Sequence, residues 1–80
     1  MTVSILLFGI ARDIAGGRKL QLILPDGSDV GALLVELGSQ YPAFNELSSL
    51  MVAVNDEYAD RSVLLTGDEE VALIPPVSGG

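Results

Sequence analysis

The chain contains no cysteine and no histidine. Without cysteine there is no disulfide framework and no thiolate metal site, a usage that fits a reducing compartment, so a cytoplasmic location is expected. Without histidine the commonest acid–base residue and metal ligand is missing, which counts against a self-sufficient enzyme. No metal site is expected. Basic residues are scarce as well: Arg12, Arg18, Lys19 and Arg61 stand against eleven acids, for a net charge of −7. Phosphate recognition needs clustered Lys and Arg, so neither a nucleic-acid role nor attachment to an anionic membrane is expected. No apolar run reaches the ~18 residues a membrane span requires. The opening Met-Thr-Val-Ser-Ile lacks the basic region that precedes a signal peptide's apolar stretch. Aromatic residues are limited to Phe8, Tyr41, Phe44 and Tyr58, so the core must be built from Leu, Ile and Val.

What is present suffices for one small domain. A chain of 80 residues buries only ~60% of the surface its unfolded form exposes, room for one sheet and one packed helix. Val3 to Phe8 is a β-prone run in which Val3, Ile5 and Leu7 point one way and Ser4, Leu6 and Phe8 the other. Gly9 to Gly17 reads as a loop with a short helical turn over Ile10 to Ala15. Arg18 to Leu24 is a second strand, closed by the Pro25-Asp26-Gly27-Ser28 turn. Ser28 or Asp29 then caps the one clear helix, in which Val30, Leu33, Leu34 and Leu37 form an apolar stripe and whose end is bracketed by Gly38 and Pro42. A short helical turn is expected within Ala43 to Leu50, a buried strand over Met51 to Val54 and a short edge strand within Glu57 to Ser62. Leu65-Thr66-Gly67-Asp68 is a turn and Glu70 to Ile74 the last strand, stopped by Pro75-Pro76, neither of which can donate to a ladder. This order suits a mixed α+β sheet of four to five strands with the helix across one face, the β-grasp arrangement. The domain is expected over residues 1–76, with a flexible tail over 77–80.

The tail has the properties of a chemical probe. Pro75-Pro76 favours a stiff, extended exit, and the four residues after it span ~13–14 Å when extended. Val77 and Ser78 lead to Gly79 and Gly80, which lack side chains and fit a channel too narrow for other residues. A terminal carboxylate, with a pKa of ~3.3–3.7, is ionised at neutral pH and a poor acceptor for nucleophiles. Adenylation would activate it, and a sulfur nucleophile would then leave a thiocarboxylate. The chain has no phosphate-cradling loop, so ATP must be used by a partner and no cofactor is expected on the chain itself. A Gly-Gly ending also fits an idle, frayed terminus; the β-grasp pattern and the Pro-Pro exit favour the chemical role.

The residues that carry a family resemblance are Leu7-Phe8-Gly9, Ala11-Arg12-Asp13, Ala53-Val54-Asn55, Leu65 to Val71 and, most specifically, Pro75-Pro76-Val77-Ser78-Gly79-Gly80. Through them the chain resembles the small subunits of molybdopterin synthase, the MoaD-type sulfur carriers, over nearly its whole length. The resemblance implies a ubiquitin-like β-grasp fold and adenylation of Gly80 by a ubiquitin-activating-type adenylyltransferase. It further implies a thiocarboxylate that enters the large synthase subunit and donates sulfur to a cyclic pyranopterin monophosphate, in a heterotetramer. The chain would then be a sulfur-donating subunit without a complete active site. Many relatives carry an aromatic residue before the Pro-Pro pair, where this chain has Leu73-Ile74. Other roles open to a β-grasp protein ending in Gly-Gly are sulfur delivery to thiamine, tRNA thiolation or cysteine synthesis, covalent protein modification, and plain binding.

Leu6, Phe8 and Ile74, with Pro75 and Pro76, are candidate partner-binding residues if the helix covers only one sheet face; burial under the second short helix is the alternative. Arg12 lies near the partner interface by resemblance, and an ordinary solvated arginine is an equal alternative. Asp68-Glu69-Glu70 reads as a solvated turn that could also meet a basic surface. The paired carboxylates Glu69–Glu70 and Asp26–Asp29 have no positioned partner, so no catalytic role is assigned to them.

Overall fold

A computed structural model describes residues 1–47 and 50–75. The alternation in the N-terminal run becomes strand β1 (Thr2–Leu7). Helix α1 (Ile10–Ala15) is closed by Gly16, whose φ of 81° suits glycine and whose amide donates to the Arg12 carbonyl at 2.8 Å. Strand β2 (Lys19–Ile23), helix α2 (Val30–Gln40) and a 3-10 helix (Pro42–Glu46) follow. Strands β3 (Met51–Val54), β4 (Glu57–Tyr58) and β5 (Val71–Ile74) complete the chain.

The five strands form one mixed sheet in the order β2-β1-β5-β3-β4. At its centre β1 and β5 run parallel, with Ile5 opposite Val71, Leu6 opposite Ala72 and Leu7 opposite Leu73. The flanking pairs are antiparallel. One sheet face carries Val3, Ile5, Leu7, Leu22, Val52, Val71 and Leu73, and α2 answers with Val30, Leu33 and Leu37; all are buried. Each such side chain contributes ~1.5–3 kcal/mol on leaving water. Phe44 of the 3-10 helix joins this core and meets Tyr41 edge-to-face at 6.0 Å. The β-grasp expectation is met, with the helix across one face.

Several expectations resolve more finely. Asp29, not Ser28, caps α2: its carboxylate accepts from the Ala32 amide at 2.8 Å. Ser28 instead donates its hydroxyl to the Pro25 carbonyl at 2.7 Å and closes the preceding turn. The helix continues through Gly38 and ends at Tyr41. Gly38 is buried, and a Cβ there would collide with the Asn45 amide, which donates to the Gly38 carbonyl at 3.2 Å. In the strand expected to be buried, Val52 and Ala53 are buried, Val54 is half-buried and Met51 is exposed.

The short edge strand expected within 57–62 is Glu57–Tyr58. It is joined to β3 by a two-residue turn at Asn55 and Asp56, whose φ values of 50° and 70° are the left-handed geometry that tight hairpins demand and these residues tolerate. The chain then leaves the sheet to serve α2. The Val63 carbonyl accepts from the Val30 amide at 2.9 Å and the Arg61 carbonyl from the Gly31 amide at 2.8 Å. Those amides lie in the first turn of α2 and have no partner within the helix, so the segment after β4 caps α2. The expected boundary between domain and tail, at residues 76 and 77, lies outside the described residues.

Leu33 is fully buried and Val35, two positions on, is exposed. Leu33→Ala should cost about 2–5 kcal/mol in chemical denaturation, Val35→Ala less than about 0.5 kcal/mol and Asp29→Ala about 1 kcal/mol. Equal effects at positions 33 and 35 would contradict the packing described above.

Candidate docking face and tail root

Because α2 occupies one side of the sheet, the side chains of opposite alternation are left on the other. From β1 these are Ser4 and Leu6, with Phe8 following just past the strand end; from β5, Ala72 and Ile74; from β3, Met51 and Ala53; from β4, Tyr58. Leu6 and Ile74 are half-buried, while Phe8, Met51 and Tyr58 are 48%, 47% and 67% exposed. The 3-10 helix does not cover them: it packs beside α1 and α2 and sends Phe44 into the core. Leu6, Phe8 and Ile74 therefore do share one open apolar face, as the alternation predicts. Met51 and Tyr58 also belong to it. Sequence reasoning missed both, because strand order rather than local pattern brings β3 and β4 alongside β5.

The described chain ends, at Pro75, at a margin of this face. β5 ends at Ile74, directly across from Met51, and parallel pairing sends its end to the same sheet margin as the end of β1. There Pro75 is seated on Gly9: a Cβ added to Gly9 would lie 3.2 Å from the proline Cγ, and Gly9 has a φ of 56°. Glycine suits this position doubly, by its left-handed backbone and by the close approach. Of the candidate site residues, Leu6, Phe8, Ile74 and Pro75 are gathered at this margin. Pro76, Val77, Ser78, Gly79 and Gly80 lie outside the described residues.

Arg12 is exposed on α1 and borders an open groove with Leu6, Leu7, Phe8, Arg18 and Lys19. Arg18, just before β2, and Lys19, its first residue, were not singled out from the sequence. Only the antiparallel register brings them here, with Lys19 opposite Leu6 and the Arg18 carbonyl accepting from the Leu7 amide at 2.9 Å. Beside Leu6, the polar side chains of Ser4, Lys19 and Gln21 border a groove closed by residues 67–70. No cluster of three or more His, Cys, Asp or Glu side chains suited to a metal occurs among the described residues.

The acidic run at 68–70 has internal work. The Glu69 carboxylate accepts from the Thr66 amide at 2.8 and 3.0 Å, the Gly67 amide at 2.9 Å and the Thr66 hydroxyl at 3.1 Å. Burial alone would raise the Glu69 carboxyl; the hydrogen bonds from the Thr66, Glu69 and Gly67 amides and from the Thr66 hydroxyl outweigh it and hold the group below the usual carboxylate range. Glu70 exchanges backbone bonds with Asn55, whose side chain accepts from the Glu70 amide and whose amide donates to the Glu70 carbonyl, both at 2.9 Å. Glu69 thus shapes the turn that feeds β5.

Residues 5–80 match the family model described as the ThiS family. The molybdopterin synthase sulfur carrier subunit of Arabidopsis thaliana is 39% identical over 79 residues, covering 98% of this chain and 82% of the plant protein. Among solved structures, small archaeal modifier protein 1 from Haloferax volcanii superposes with a TM-score of 0.86 at 27% identity, over 100% of both chains. A chain from the complex of subunits 1 and 2 of the molybdopterin-converting factor of Helicobacter pylori does so with a TM-score of 0.69 at 25% identity, again over 100% of both chains.

The depressed Glu69 pKa implies a pH dependence of fixed sign. The carboxylate stabilises the fold fully above the unfolded glutamate pKa of about 4.3, and this contribution is lost as pH falls through the lower folded value. Glu69→Gln should therefore be less stable than the parent near neutral pH and converge on it in acid. Urea midpoints measured across that range would reveal a constant offset if the carboxylate charge were irrelevant.

Proposed function

The chain belongs to the ThiS family, and on that premise we propose that it is the sulfur-carrier small subunit of a molybdopterin synthase. The observation that carries this reading is the reach of the similarity. The family match runs through residue 80, and the plant sulfur carrier aligns over nearly all of this chain. The Gly-Gly ending lies within the matched span.

The chemistry follows from what a carboxylate needs. An oxygen of the Gly80 carboxylate attacks the α-phosphorus of ATP in a ubiquitin-activating-type partner, and pyrophosphate leaves. A sulfur nucleophile then attacks the acyl adenylate and expels AMP, leaving a thiocarboxylate whose soft sulfur is delivered to a cyclic pyranopterin monophosphate. The chain's own contribution is delivery. It falls to the Pro75-Pro76-Val77-Ser78-Gly79-Gly80 ending, whose prolines favour an extended backbone and whose final two residues lack side chains and suit a narrow channel. The apolar strip of Leu6, Phe8, Ile74, Met51 and Tyr58 docks on the large subunit beside the tail root, with Arg12 at its margin. The two-subunit complex from Helicobacter pylori supports a large-subunit partner. ATP belongs to the activating partner, and the carrier itself holds no cofactor. No helix among the described residues is long and apolar enough to cross a membrane, and the absence of cysteine agrees with work in the cytoplasm.

A second reading, covalent modification of target lysines, is favoured by the likeness to the archaeal modifier protein. It uses the same activated terminus and ends in an isopeptide bond instead of a transferred sulfur. Incubation with the activating enzyme, ATP and a sulfur donor, followed by intact-mass analysis, should show one oxygen exchanged for sulfur at the C-terminus. An unchanged mass under verified activating conditions contradicts sulfur carriage, and a ladder of adducts on denaturing gels supports the modifier. Deletion of Gly80 should abolish sulfur transfer in reconstitution with the large subunit and the pterin precursor, while thermal unfolding stays that of the parent.

A further inference from the structure

Three of the chain's four cationic side chains converge on one corner of the molecule. Arg12 reaches it from α1 and Arg18 and Lys19 from the start of β2, and together with Leu6, Leu7 and Phe8 they border the open groove at the sheet margin. None of the three forms an ion pair among the described residues, although the chain carries eleven acids. The groove is bordered by these three cations and by no acid, while Lys19 also borders a second groove with Asp68, Glu69 and Glu70. This arrangement leaves a positive corner on a molecule whose net charge is −7.

The corner is continuous with the docking strip. Phe8 belongs to both, and the next residue, Gly9, seats Pro75 at the root of the tail. Two arginine forks beside a half-exposed ring suit planar carboxylates, which guanidinium groups grip in pairs and aromatic edges tolerate. The rest of the surface, by its net charge, turns an acidic partner away. An acidic patch on a partner is therefore accepted in one orientation, the one that aligns its tail channel with Pro75. Arg61 stands apart, bordering grooves on the helix side with Leu34 and Leu50.

We propose that Arg12, Arg18 and Lys19 form a carboxylate-recognising corner of the docking face that takes a cluster of Asp and Glu side chains on the large subunit and orients the carrier for tail insertion. This inference rests on the sulfur-carrier reading. The test is calorimetric titration of the full-length carrier into the large subunit at salt from about 50 to about 500 mM. The variants are the double reversal Arg18→Glu/Lys19→Glu, the neutral pair Arg18→Gln/Lys19→Gln and, as control, Arg61→Glu, each with a thermal melt to verify folding. The double reversal should weaken binding about tenfold or more at low salt, and this difference should shrink as salt rises. The neutral pair should fall between it and the parent, and the control should stay within about twofold. Parent-like binding by the reversed variant, a loss equal at all salt concentrations, or a loss shared by Arg61→Glu would each overturn the proposal. So would impaired activation of the tail with large-subunit binding intact. Failure of the parent carrier to bind the large subunit would instead contradict the sulfur-carrier reading itself.

Discussion

The parallel pairing of β1 with β5 is the constraint on which the rest of the molecule depends. It joins residues some 66 positions apart, Ile5 with Val71 and Leu7 with Leu73, so everything between them must fold back within one crossing. Parallel neighbours require such a crossover, and α2 supplies it. The pairing also sends both strand ends to one margin. That is why Phe8, Gly9 and α1 flank the point where the tail departs, and why Pro75 finds a glycine to rest on. An antiparallel partner would have delivered the tail to the opposite edge, away from α1 and its arginine.

Backbone accounting explains how so small a domain holds this arrangement. The first amides of α2 are satisfied by the carbonyls of Arg61 and Val63 and by the Asp29 carboxylate. The segment between β4 and β5 is therefore an integral cap, though it contains almost no regular structure. Glu69 performs the equivalent service for the turn before β5, and Asn55 ties that turn to the β3–β4 hairpin. Polar side chains are thus spent on organising the entry to β5. At its exit Pro75 rests on Gly9.

The distribution of charge and apolar surface follows the division of labour in a sulfur carrier. In the function proposed for this chain, chemistry that needs a base, a metal or a phosphate cradle falls to partners, and the chain contributes a terminus and a face to present it. On that face an apolar strip drawn from β1, β5, β3 and β4 lies beside the polar side chains of Ser4, Lys19 and Gln21. The few cations are concentrated where this face meets the tail margin. A surface patterned in this way favours one docking orientation, which a terminus with only a few residues of reach requires.

The elements themselves were legible in the sequence, because they arise from local rules. Period-two alternation marked β1 and β2, the Val30–Leu33–Leu37 spacing marked α2, and Asp29, Gly16, Gly27 and Pro75 punctuated them. The same alternation assigned Leu6, Phe8 and Ile74 to one face, and the Gly79-Gly80 ending together with the family resemblance pointed to the chemistry. What local rules cannot specify is which distant segments become neighbours. The continuation of α2 through Gly38 depended on room for Asn45, seven residues away, and the capping of its first amides on the carbonyls of Arg61 and Val63. Met51 and Tyr58 entered the docking face, and Arg18 and Lys19 joined Arg12, only through sheet order and register. The residues by themselves determined a β-grasp carrier with a Gly-Gly terminus. Tertiary structure alone decided how its face and its charges surround the tail root, because long-range pairing, unlike alternation or capping, is settled only when the whole core closes.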